Sequence, residues 1–264
     1  MSNAFHLRRS FLSALLGLVV LAAFTPATVR AAESVSIAAA ADLVYCLEEI
    51  NAAFKQAHPG ADLKVSSGSS GNFTTQIKNG APFDVFLSAD LSYPRDLVKA
   101  GLADEKSLTP YAVGRLVLWT AHPEAVDVSK GLAVVADAGA VKKFAIANPD
   151  HAPYGRAAKE ALQHEKLWDA VQGRLVQGEN ISQTAQFVES GNADAGLVAL
   201  SLVLSPKLVK VGRWQEIPAD FHNKLEQGAV LTTAGTKNGL ARAYLEFLRS
   251  PAARAVFDRY GFRM

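Results

Sequence analysis

Four short stretches of this chain set small residues, serines and capping side chains where a strand gives way to a helix, and together they could hold an anion. They are Ala39-Ala40-Ala41-Asp42-Leu43, Ser69-Ser70-Gly71-Asn72, Asn148-Pro149-Asp150-His151-Ala152-Pro153-Tyr154-Gly155 and Gly178-Glu179-Asn180-Ile181-Ser182. The first N–H groups of a helix have no internal acceptor, and the helix dipole adds partial positive charge there. Small residues let a ligand come close, and serine hydroxyls add rotatable donors. The Gly/Ser turn is the clearest of the four: Leu63 and Val65 precede it, and Phe73 and Ile77 follow at helical spacing. On its own, such a turn also fits an ordinary loop with a helix cap. Neutral donors suffice for a charged ligand, since each hydrogen bond to an ion is worth roughly 1.5–3 kcal/mol net. Preorganised main-chain donors also lose little entropy on binding. The expectation is that the four junctions meet around one anion.

The elements that must position these junctions alternate. Strands are expected at 34–40, 63–66, 84–88, 113–120, 143–147, 195–199 and 229–233. Helices are expected from Asp42 to Pro59-Gly60, from the Ser/Gly turn to about 79, and over 93–100, 155–166 and 182–190, with two more at the end of the chain. Asp42 reads as a cap for the first helix, whose apolar positions Leu43, Leu47, Ile50 and Phe54 recur at helical spacing. Ser250, Pro251 and Gly261 bracket the last helix as cap, first residue and terminator. This alternation argues for an α/β fold with mostly parallel sheets. With no linker-like tract in view, the chain should cross between two lobes on strands, with 113–120 and 229–233 as the crossings, and leave a ligand cleft between the lobes. The expected division is 32–113 with 228–264 in lobe 1 and 114–227 in lobe 2.

Residues 1–31 read as a leader. Arg8 and Arg9 precede an apolar run over 11–24, and Val29-Arg30-Ala31 fits the cleavage rule, so cutting is expected after Ala31 and the product should be periplasmic. The leader carries three basic and no acidic side chains; without it, 24 Lys+Arg face 25 Asp+Glu, a net of −1. No basic stripe remains to argue for nucleic acid. Cys46 is the only cysteine in the chain and lies on the apolar face of the first helix, which reads as a buried, inert thiol. The 233 residues after the leader suit two lobes.

The motifs together carry a family resemblance. Ala-Ala-Ala-Asp-Leu, Gly-Ser-Ser-Gly-Asn, residues 79–90 (Asn-Gly-Ala-Pro-Phe-Asp-Val-Phe-Leu-Ser-Ala-Asp), 111–119 (Tyr-Ala-Val-Gly-Arg-Leu-Val-Leu-Trp), 148–155, Gly-Glu-Asn-Ile-Ser-Gln and Arg-Tyr-Gly-Phe follow in order along the chain. In this the sequence resembles the periplasmic molybdate-binding proteins of ABC importers. The resemblance implies a type II periplasmic binding protein that closes on molybdate or tungstate. It implies a monomer that delivers this cargo to a membrane permease with an ATPase subunit, with no cofactor, no directly bound metal and no catalysis. For the ligand contacts it implies a hydroxyl and N–H from Ser70 and main-chain N–H groups from Tyr154 and Ile181. Ala41 and Ser69 join them as neighbours of the contacts. Asp42 stands where the family often has serine or asparagine, and Ala199 stands where some members have a tyrosine.

Asp42 is the main departure, because an aspartate facing a dianion repels it. Its carboxylate is expected to turn back and cap its own helix; the alternative is a protonated carboxyl that donates one hydrogen bond, which an exposed carboxyl makes costly at neutral pH. Ala199 removes a donor. His58, His122, His151, His164 and His222 lie at no metal-ligand spacing and read as surface groups, with His151 in a cleft loop. Asp84 and Asp90 read as caps, and Tyr111 and Trp119 as core. An exported serine hydrolase built on Ser69 or Ser70 is the rival from another class. It lacks the Gly-x-Ser-x-Gly elbow, and nothing in the sequence places a histidine beside either serine. Among binding roles, sulfate competes with molybdate as another tetrahedral dianion, separated by size.

Overall fold

A computed structural model describes residues 34–264, so the expected leader and its cleavage site lie outside the described residues. The chain opens with β1 (Ser34–Ala40), a 3₁₀ turn over Ala41–Leu43, and α1 (Val44–Ala57). There follow β2 (Asp62–Gly68), α2 (Ser70–Lys78), β3 (Val85–Ser88), α3 (Ser92–Lys99) and β4 (Thr109–Val113). After two residues come β5 (Leu116–Thr120), β6 (Phe144–Ala147), α4 (Pro153–His164), the short α5 (Trp168–Val171), β7 (Leu175–Gly178) and α6 (Ile181–Glu189). The remainder is β8 (Ala195–Ala199), α7 (Leu200–Val203), β9 (Arg213–Glu216), β10 (Glu226–Leu231), α8 (Gly239–Phe247) and α9 (Pro251–Arg259).

The strands form two sheets of five, in the orders β2-β1-β3-β10-β4 and β7-β6-β8-β5-β9. Each has a parallel half built from strand–helix units: β1 pairs in parallel with β2 and β3, and β6 with β7 and β8. Each is then extended by two strands through antiparallel pairing: β10 beside β3 with β4 beyond it, and β5 beside β8 with β9 beyond it, so that only β10 and β5 run against the rest. The fold class is therefore α/β with two mixed sheets. The apolar run at 113–120 is two strands, broken at Gly114-Arg115, because β4 belongs to the first sheet and β5 to the second. The chain returns between β9 and β10. Strand β9 carries the exposed, polar Arg213–Glu216 segment, which has no apolar period and left no mark in the sequence pattern.

Helix α1 buries Cys46, Leu47, Ile50 and Phe54 on one face. One large apolar cluster runs through both sheets; a smaller one, with Phe73, Ile77, Phe86 and Leu97, fills the space beneath α2 and α3. Ser250 accepts the Ala253 N–H at 3.2 Å with Pro251 at the first position of α9, as the motif demands.

Candidate functional site

The parallel strands end on the same side as the four junctions, and a small cavity lies there. The β1 junction contributes Ala40, Ala41 and Asp42 to its wall, and the β2–α2 turn contributes Gly68, Ser69 and Ser70. Ala89 lines it after β3, Ala152, Pro153 and Tyr154 at the start of α4, and Ile181 at the start of α6. Of the residues singled out in the sequence, Ala41, Asp42, Ser69, Ser70, Tyr154 and Ile181 meet here.

Local sequence explains why three helix starts are presented. In α2, Ser69 is the cap, its Oγ accepting the Asn72 N–H at 3.4 Å. Ser70, wholly buried, is the first helical residue; its Oγ accepts the Ala89 N–H at 3.0 Å, so its own proton stays available to donate. Helix α4 begins at Pro153, two residues ahead of the expected start, because proline's fixed φ suits the first helical position. Tyr154 is thereby in the first turn, where an N–H has no internal acceptor. In α6, Asn180 Oδ1 accepts the Gln183 N–H at 3.0 Å and Gln183 reaches back to the Glu179 N–H at 2.7 Å, which leaves Ile181 as the first helical residue. Among the described residues lining the cavity, Asp42 is the only one with an ionisable carboxyl or amine side chain.

Asp42 departs from expectation. Its carboxyl does not cap α1, which has no side-chain cap. It is buried, and Oδ2 accepts from the Tyr154 hydroxyl at 3.1 Å and from Gln227 Nε2, while Oδ1 has no partner. Burial pushes the Asp42 carboxyl up from 3.8 to about 6, against the opposing effect of the Gln227 and Tyr154 hydrogen bonds. Gln227 is held in turn by the Tyr111 hydroxyl, donating to Oε1 at 2.8 Å, and Ser201 Oγ donates to the Asp42 carbonyl at 2.7 Å. The carboxyl turns inward because partners from β10 and α4 reach it there, contacts separated by more than a hundred residues of sequence.

A sequence model described as bacterial extracellular solute-binding protein matches residues 35–263. The chain belongs to that family. The molybdate-binding protein ModA of Rhodobacter capsulatus is 40% identical over 232 residues, 88% of this chain and 89% of its own. ModA of Azotobacter vinelandii is 39% identical over 244 residues, 92% and 95% of the two chains. The solved periplasmic molybdate-binding protein of A. vinelandii matches with a TM-score of 0.81 at 34% identity, over 87% of this chain and 99% of that one. The resemblance read from the motifs agrees with these relatives, and the family is one of solute binders.

Other contacts in this solute-binding fold differ from the sequence reading. Ala199 ends β8, fully buried and paired with Leu116, and does not line the cavity; nearby Ser201 does not line it either, but donates to the Asp42 carbonyl. The Ser69 hydroxyl is engaged with His151 Nδ1 at 2.9 Å, and His151 Nε2 lies 3.4 Å from Glu179 Oε2. His151 is thus no surface group: it ties the start of α2, beside the first sheet, to two loops of the second. A Ser–His–Glu line is also what a hydrolase would need, but Ser69 is occupied as a helix cap and is nearly inaccessible, and the Glu179 side chain is largely in solvent. Neither Asp84 nor Asp90 is a helix cap: Asp90 accepts the Ser92 N–H at 2.7 Å and pairs with Arg156 of α4, while the cap position of α3 is Leu91, and Asp84 accepts the Ser36 N–H at 2.8 Å. Ala89, Gln227 and His151 went unread as site residues. Only His151 had a signal, its place in a cleft loop.

Proposed function

We propose that this chain captures molybdate, and tungstate with it, and passes the anion to an ABC importer permease with its ATPase subunit in the periplasm. The observation that carries the reading is the convergence of four separate strand-to-helix junctions on one small cavity with no cationic side chain among its described lining residues. Helix starts and hydroxyls in such a wall suit an anion held by N–H and O–H donors. In this reading Ser70 donates its hydroxyl and N–H, Tyr154 and Ile181 donate main-chain N–H groups, and Ala41 and Ser69 complete the wall. The identity to molybdate-binding relatives over nearly the whole chain supports the choice of ligand. Selection against sulfate follows from size: a smaller tetrahedron leaves donors unpaired at roughly 1–3 kcal/mol each.

Calorimetric titration of the protein lacking residues 1–31 with molybdate, tungstate, sulfate and phosphate tests this. Molybdate and tungstate should bind at least about a hundredfold more tightly than sulfate, equivalent to about 2.7 kcal/mol. Sulfate binding as tight as molybdate would overturn the ligand assignment. Ester hydrolysis that disappears in Ser69→Ala would instead favour the hydrolase.

A further inference from the structure

We propose that the oxyanion enters this site together with one proton, held on Oδ1 of Asp42 and donated from there to a ligand oxygen. The inference rests on the oxyanion reading above and adds what Asp42 does in it. Its basis is geometric. Oδ2 already accepts from Tyr154 and Gln227, so a proton on the carboxyl goes to Oδ1. Oδ1 is buried without a partner, and Asp42 lines the cavity. A protonated Oδ1 needs an acceptor, and an oxyanion in the cavity supplies one. An ionised Asp42 would add a negative charge beside the dianion, with no cation in the described lining to offset it. The proton comes from solvent.

The groups facing this carboxyl are few. Cys46 lies on α1, Tyr111 on β4 and Tyr154 on α4, with the neutral Gln227 on β10 and Ser201 on α7. Burial raises the Cys46 thiol and both phenols, so each keeps its proton at neutral pH. His151 sits at the rim through Ser69 and needs its own control. The position of the free carboxyl, at about 6, sets the direction. Below it the proton is already present and affinity should be flat. Above it each binding event must take up a proton, so molybdate affinity should fall with rising pH by up to about tenfold per unit.

The test is calorimetric titration of molybdate between about pH 5 and pH 8 in buffers of different ionisation enthalpy, with proton uptake read from the buffer dependence. Wild type should take up close to one proton per anion at the alkaline end, and Asp42→Asn should take up none and bind independently of pH. His151→Gln should keep the slope whatever its affinity. PH-independent binding by wild type, or a slope that persists in Asp42→Asn, overturns the inference and leaves the oxyanion reading standing. Absence of molybdate binding at every pH removes both. Should Asp42→Asn fail to fold, the wild-type proton count decides alone.

Discussion

In the proposed binding mode Ser70 serves both the fold and the ligand. It is wholly buried, and its oxygen accepts the N–H of Ala89, itself 2% exposed. A hydroxyl that accepts there directs its own hydrogen elsewhere, and the cavity is the open side. Ser70→Ala should therefore weaken molybdate binding about ten- to a hundredfold, the size of one charge-assisted hydrogen bond. It should also lower stability by about 1–3 kcal/mol, because the Ala89 N–H is left unpaired. Calorimetry and thermal unfolding of the same variant check the two effects separately. A loss of stability with unchanged affinity would leave Ser70 a purely structural residue.

At the scale of elements, the site depends on helix starts meeting across the cleft, and Gly71 sets how close they come. Its N–H donates to the His151 carbonyl at 2.9 Å, and a Cβ at this position would lie 2.6 Å from that oxygen and 2.9 Å from the His151 Cα. Alanine is the better helix former by about 1 kcal/mol, so Gly71→Ala should leave α2 intact while holding the α2 and α4 junctions apart. Molybdate affinity should fall at least about tenfold with the circular dichroism spectrum unchanged; full affinity would mean that this close approach is dispensable. The strand–helix alternation, the apolar face of α1 and the Ser250 cap were legible because each is set by neighbours within a few residues. The Ser/Gly turn and the 148–155 and 178–182 junctions were legible as helix starts for the same reason. What escaped was long-range: the inward turn of Asp42, fixed by Tyr154 and Gln227, and the seat of His151 against Ser69. Ala199 was placed by resemblance alone, and it does not line the cavity.

Over the whole molecule, two sheets share one extended core, and the passage from β4 to β5 is pinned from several sides. Val113 and Arg263 exchange main-chain hydrogen bonds at 2.7 and 3.0 Å, and the Gly114 N–H donates to Leu225 at 2.9 Å. Arg115 and Arg263 both reach Glu216, whose carboxyl is held below the usual carboxylate range by the Arg115 hydrogen bonds first and by the charges of both arginines. Tyr154, Ser201, His151 and Arg156 then join the cavity face of the second sheet to that of the first. The central claim is that an oxyanion lies where these contacts converge. Crystals grown with tungstate test it most directly, since the anomalous scattering of tungsten locates the anion without reference to the protein. The tungsten should lie in the cavity, with its oxygens within hydrogen-bond distance of Ser70 Oγ and of the main-chain N–H groups of Tyr154 and Ile181. Tungsten found only elsewhere, such as the groove beside Arg249 and Arg254, would contradict the account.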